Sequence, residues 1–239
     1  MSEKINEKLK KLYQNKWDGL LENSHGTEAA HPLLIKVQDE YESADIKVMI
    51  VGQETDGWIG ALTNNKKNID EIMDTYYNYL YNIDNGFNSK NLKAKKQRPF
   101  WNRKNFRYFE EELAKLDTNK RFAFVWNNIS KIGNSGDNFR GKPKENVKEL
   151  ENQYFSGIFE KELKILKPDI IIFVTGNRIL PIKCDLLSTD LKEVSHVLLH
   201  EQFVNTIAIK TYHPNAKIKG GKVHIKKYII EFIKDKLIV

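Results

Sequence analysis

Apolar residues in this chain fall into runs of two kinds. Four are short and continuous, over 46–51, 122–126, 170–174 and 206–211, and each stops abruptly at glycine or polar residues. Runs of that length with no polar alternation predict parallel strands buried on both faces. The others recur at helical spacing. Ile5, Leu9, Leu12, Tyr13, Lys16 and Leu20 predict a helix over 3–21, and similar patterns predict helices over 69–81, 105–116, 147–166 and 223–237. Strands alternating with helices predict a mainly parallel α/β sheet with right-handed crossovers. Residues 23–32 read as loop, and 84–98, rich in Asn, Gly, Ser and Lys, as an exposed excursion.

The strand ends carry the candidate chemistry. They are Gly52-Gln53-Glu54-Thr55, Asn127-Asn128, Gly176-Asn177 and His213-Pro214-Asn215. In a parallel sheet all four lie along one edge, so one cleft would gather a carboxylate, amides and an imidazole. The aromatic cluster from Tyr76 to Tyr81 reads as packing. Phe106, Phe109, Leu113 and Leu116 read as the core face of a helix with a basic outer side. His25 and His31 read as loop residues without metal-ligand spacing.

Composition narrows the classes. With 239 residues, 40% of them hydrophobic, the chain suits one domain spanning 1–239. A net charge of +7 favours a partner carrying phosphates. Cys184 is the single cysteine, which excludes an internal disulfide, a thiolate zinc site and a cysteine-ligated iron–sulfur cluster. No metal or cofactor is expected. The polar opening Met1-Ser2-Glu3-Lys4 and the lack of a spanning apolar run lead to the expectation of a cytoplasmic, membrane-free monomer.

The order of motifs resembles the uracil-DNA glycosylase superfamily over roughly residues 46 to 235. Gly52-Gln53-Glu54-Thr55 is similar to the family's first strand-end motif, Val125-Trp126-Asn127-Asn128-Ile129-Ser130-Lys131 to its base-reading strand end, and Tyr212-His213-Pro214-Asn215 to its His-Pro-Ser motif. Gly141-Lys142-Pro143 and the run from Leu166 to Gly176 follow the same rhythm. The chain carries Thr55 where the family usually has Pro, Glu54 where its strongest base-excising members have Asp, and Asn215 where Ser is usual.

The resemblance implies a three-layer α/β/α sandwich around a central, mainly parallel four-stranded sheet. It also implies metal-independent hydrolysis of the N-glycosidic bond of a flipped deaminated or damaged base, uracil first, in single- or double-stranded DNA. Glu54 and His213 would be catalytic: His213 would donate to a carbonyl of the leaving base, and Glu54 would orient water or offset the sugar's positive charge. Gly52, Gln53, Trp58 and Asn128 would bind the base, with Asn128 pairing to a pyrimidine edge and Trp58 stacking, Phe100 and Trp101 being rivals for that place. Lys217, Ile218, Lys219 and Lys222 would contact DNA, with Ile218 as a wedge. A non-catalytic nucleobase, nucleotide or nucleic-acid binding module on the same fold is the alternative.

Overall fold

All four apolar runs become neighbouring parallel strands of one sheet. The computed structural model describes residues 2–55, 57–63, 67–81, 106–135, 142–187, 195–213, 216 and 222–237. In chain order the elements are α1 (Glu3–Asn23), β1 (Ile46–Gly52), α2 (Ile69–Tyr81), α3 (Phe106–Ala114), β2 (Phe122–Asn128), α4 (Glu145–Phe155), α5 (Ile158–Leu166), β3 (Ile170–Phe173), β4 (Asp185–Leu187), β5 (His196–Leu199), β6 (Ile207–Lys210) and α6 (Lys222–Leu237), with a 3-10 turn (Glu201–Phe203) before β6. The excursion at 84–98, Phe100, Trp101, Pro214, Asn215, Lys217, Ile218 and Lys219 lie outside the described residues. Lys222 opens α6, and its side chain also lies outside them.

The sheet has six strands rather than four, in the order β2-β1-β3-β6-β5-β4. The first four are mutually parallel, while β5 runs antiparallel to both β6 and β4. These two added strands are only four and three residues long. Runs that short show too little periodicity to be separated from loop. β1 is buried along its length except at Lys47, as a strand covered on both faces must be.

The main helix contacts are α1 with α2, α4 and α5, and α3 with α6, and Arg107 of α3 also donates to Leu80 O of α2 at 2.9 Å. The buried face of α1 is Ile5, Leu9, Tyr13, Trp17 and Leu20, so Trp17 takes the place expected for Lys16, which is exposed. The helix expected over 147–166 is two helices. Gly157, at φ 70°, breaks the chain between α4 and α5 in a left-handed conformation open to glycine. α5 stops at Lys167 because Pro168 cannot continue a helix. At the start of α2, Asn68 and Glu71 cap each other reciprocally at 2.8 and 2.9 Å.

β2 stands at one end of the strand order, and three of its main-chain groups are taken up by phenols. The Tyr76 hydroxyl donates to Trp126 O at 2.7 Å and accepts from Trp126 N at 2.9 Å, while Tyr81 donates to Phe124 O at 2.9 Å. The tyrosine cluster is packing, as expected, and it also satisfies a strand edge.

Candidate functional site

The ends of β2, β1, β3 and β6 are stitched together in that order. Gly52 stands opposite Asn128 in the ladder, and the pairing continues past it, Gly52 O accepting from Ile129 N at 3.1 Å and Gln53 O from Ser130 N at 2.9 Å. Gln53 Nε2 then reaches across to Thr175 O at 2.8 Å. Gly176 N donates to Thr211 O at 2.9 Å, joining the β3 end to the β6 end. Gly176 sits at φ 57°, and a Cβ there would lie 3.2 Å from His213 N and 3.3 Å from His213 Cβ. The positive φ favours glycine there, and a side chain would also press His213 back by a few tenths of an ångström. Glu54 and His213 therefore flank the end of β3, two strand spacings or about 10 Å apart at the backbone.

Between them lies Arg178, a residue not singled out from the sequence. Its Nη2 is 3.0 and 3.1 Å from the two oxygens of Glu54, with side-chain exposures of 23% and 13%. The carboxylate expected to act on the sugar is thus neutralised by a guanidinium. The only sequence signal was a cation two residues beyond a strand-ending glycine.

Asn128, the expected reader, is buried at the β2 end, and its amide is half engaged. Trp126 Nε1 donates to Asn128 Oδ1 at 2.9 Å, leaving Nδ2 without a partner. Because an indole N–H only donates, the oxygen has to face it, and Asn128 offers a ligand chiefly a donor. Trp58 packs edge-on against Trp126, with centroids 5.5 Å apart, and against Tyr79, at 5.2 Å. Among the described residues the buried side-chain polar atoms without a partner are Thr55 Oγ1, Trp58 Nε1, Asn128 Nδ2 and Thr175 Oγ1. All belong to this edge or the loop that follows it.

Trp58 is held by a constrained turn. Gly57 and Gly60 have φ of 67° and 87°, and Ile59 lies at φ 57°, an uncommon state for a β-branched residue that costs about 1–3 kcal/mol. His31 ties this turn down. It is fully buried, and its main-chain N and ring Nδ1 each lie 3.1 Å from Gly60 O. His31 lies in a loop, as expected, but a buried one: Ala30 bridges Ala61 and Ala29 bridges Asn134, which pull the segment inward.

On the opposite face of β2, Asn127 joins a buried polar network. Glu162 of α5 accepts from Tyr13 at 2.8 Å and from Asn127 Nδ2 at 3.0 Å, and pairs with Lys131 Nζ at 2.7 Å. Lys131 also donates to Asn127 Oδ1. Burial pulls the Lys131 ammonium pKa down, while Glu162 pushes it back up.

Glu151 of α4 accepts from Ser130 Oγ and Lys131 N, closing the loop after β2. Burial pushes its carboxyl from 4.5 up to about 6, against these hydrogen bonds and the Lys131 charge. A raised carboxyl favours the folded state fully below about pH 4.5, and this contribution is lost as pH rises through about 6. Its size is about 2 kcal/mol. Urea titrations from pH 4 to 7.5 should show Glu151→Gln with a flatter pH dependence than wild type; parallel curves would refute the assignment.

A depression of about 420 Å³ lies at the other end of the sheet, lined by Leu163, Lys164, Lys167, Asp169 and Thr206. It adjoins the starts of β3 and β6, away from the polar strand ends. Among the described residues there is no group of three or more His, Cys, Asp or Glu able to hold a metal ion. Among them, too, no helix is long and apolar enough to cross a membrane. No protein-family model matches the chain, and no curated protein matches it.

Proposed function

We propose that the chain is a divergent relative of the uracil-DNA glycosylases, on their three-layer α/β/α fold, that hydrolyses the N-glycosidic bond of a flipped, deaminated or damaged base in DNA. The observation that carries this reading is the stitched row of four parallel strand ends, bringing Asn128, Gln53 with Glu54, Gly176 and His213 to one edge in the order β2, β1, β3, β6. Helices on both sheet faces are supported by β1, whose residues on either face are buried except for Lys47.

The chemistry needs stabilisation of opposite charges. Positive charge develops on the sugar as the bond to the base breaks, and negative charge builds on the departing base. A carboxylate such as Glu54, once released from Arg178, would stabilise a unit positive charge about 5 Å away by about 3 kcal/mol at an effective dielectric constant of about 20. While the two are paired, the guanidinium cancels most of that field. An imidazole donor such as His213 on the base carbonyl contributes about 3–4 kcal/mol. Buried donors without acceptors cost about 1–3 kcal/mol each. A base carbonyl accepting from Asn128 Nδ2 or Trp58 Nε1 would relieve that cost.

A second reading, recognition without cleavage, is favoured by one observation: Arg178 occupies both oxygens of Glu54. A single assay separates the two. Labelled oligonucleotides carrying uracil, hypoxanthine, xanthine or an oxidised pyrimidine are incubated with protein and treated with alkali. Scission is expected at one or more of these bases, falling about a hundredfold or more in His213→Ala and in Glu54→Gln. Binding without scission on every base would leave only the recognition reading.

A further inference from the structure

The turn leaving β3 alternates in its burial. Arg178 and Leu180 are partly buried and Ile182 is buried, while Asn177, Ile179 and Lys183 are exposed. Ile179 is 91% exposed, although its neighbours on both sides are anchored, Arg178 by Glu54 and Leu180 by the core. The large apolar side chain is therefore held outward by a fixed segment. It stands at the rim of the row of strand ends, three residues beyond the glycine that abuts His213.

Among the described residues the other exposed large hydrophobic is Val204, 81% exposed. It lies just before β6, at the opposite end of the sheet. Single exposed apolar residues are ordinary, so the significance of Ile179 rests on its place. An apolar tip on the same turn as the exposed cation Lys183, on a chain of net charge +7, suits a partner whose apolar faces are bordered by anions. Stacked nucleobases between phosphates have that chemistry.

We propose that Ile179 is a wedge that enters the base stack of a nucleic acid, unstacking it beside the site while Lys183 lies toward the phosphates. This rests on the nucleic-acid reading of the site, but not on bond cleavage. It places a wedge on the turn after β3, separate from the Ile218 expected in the loop beyond His213.

The probe is a DNA duplex containing a tetrahydrofuran abasic analogue flanked by 2-aminopurine, which carries no scissile bond at the analogue. Its fluorescence reports unstacking, and anisotropy reports binding. Wild type, Ile179→Leu and Val204→Asp are expected to bind and to raise 2-aminopurine fluorescence equally. Ile179→Ala should lose most of the rise, and Ile179→Asp should bind about tenfold more weakly. The proposal is overturned by no DNA binding by wild type, by an unchanged rise in Ile179→Ala, or by an equal loss in Val204→Asp, which would mark generic surface adhesion. Failure to excise any base would remove the glycosylase reading and leave this result interpretable.

Discussion

Replacing Lys131 by methionine is expected to destabilise the protein by about 3–5 kcal/mol. Lys131 is 3% exposed and its partner Glu162 fully buried, with 2.7 Å between ammonium and carboxylate. Methionine matches the stem but leaves the carboxylate with only Tyr13 and Asn127 as donors. An uncompensated buried charge is far more costly than the absence of both charges. The double variant Lys131→Met, Glu162→Gln should therefore recover much of the loss. Against a total of about 5–15 kcal/mol, the single change is large enough to shift the urea midpoint strongly. A single variant as stable as wild type would show that water or a neighbour replaces the ammonium. The network also sits beneath the site, since Asn127 precedes Asn128 and Asn127 Oδ1 accepts the Asn128 N–H at 2.8 Å. Any loosening there should be felt at Asn128, on the other face of β2.

Gly133→Ala is expected to abolish the site's geometry. A Cβ at Gly133 would lie 1.7 Å from Thr55 O and 2.8 Å from Thr55 C, both backbone atoms. Neither can rotate away, so the segment carrying Glu54 and Thr55 has to move by more than an ångström to restore a normal contact. A displacement of about 1 Å in a catalytic group lowers rate on the order of a hundredfold. On the proposed function, excision, or base binding on the second reading, should fall by that factor or more, together with the thermal midpoint. Gly19→Ala is the control. Its Cβ would meet only the ring of Tyr154, 2.6 Å from Cε1, on a side chain able to shift. Gly19 lies inside α1, where alanine is favoured by about 0.5–1 kcal/mol, so that variant should remain near wild type. Equal behaviour of the two variants would contradict the close approach of Gly133 to Thr55.

The parallel part of the fold was legible because fully buried strands are written as continuous apolar runs. β1 and β2 begin where expected, at Ile46 and Phe122, and α2 has the expected bounds, Ile69–Tyr81. β4 and β5 were not legible, because strands of three and four residues paired only at the sheet's far side need no long pattern. Gly157 was visible in the sequence, but a glycine inside helical periodicity does not by itself distinguish a tolerated residue from a break.

The site was half legible for a similar reason. Glu54, Asn128 and His213 announce themselves by standing where apolar runs stop. Arg178, Gly133 and His31 act through contacts with residues 124, 78 and 29 positions away, which local pattern does not encode. The pairing of Asn128 Oδ1 with Trp126 is only two residues long, yet it depends on a side-chain orientation that spacing leaves open.

The phenols along β2 bear on assembly. With Tyr76 occupying both main-chain groups of Trp126, and Tyr81 the carbonyl of Phe124, a strand arriving from another molecule meets aromatic rings where it would need free amides and carbonyls. At these positions the sheet is closed to growth by strand addition.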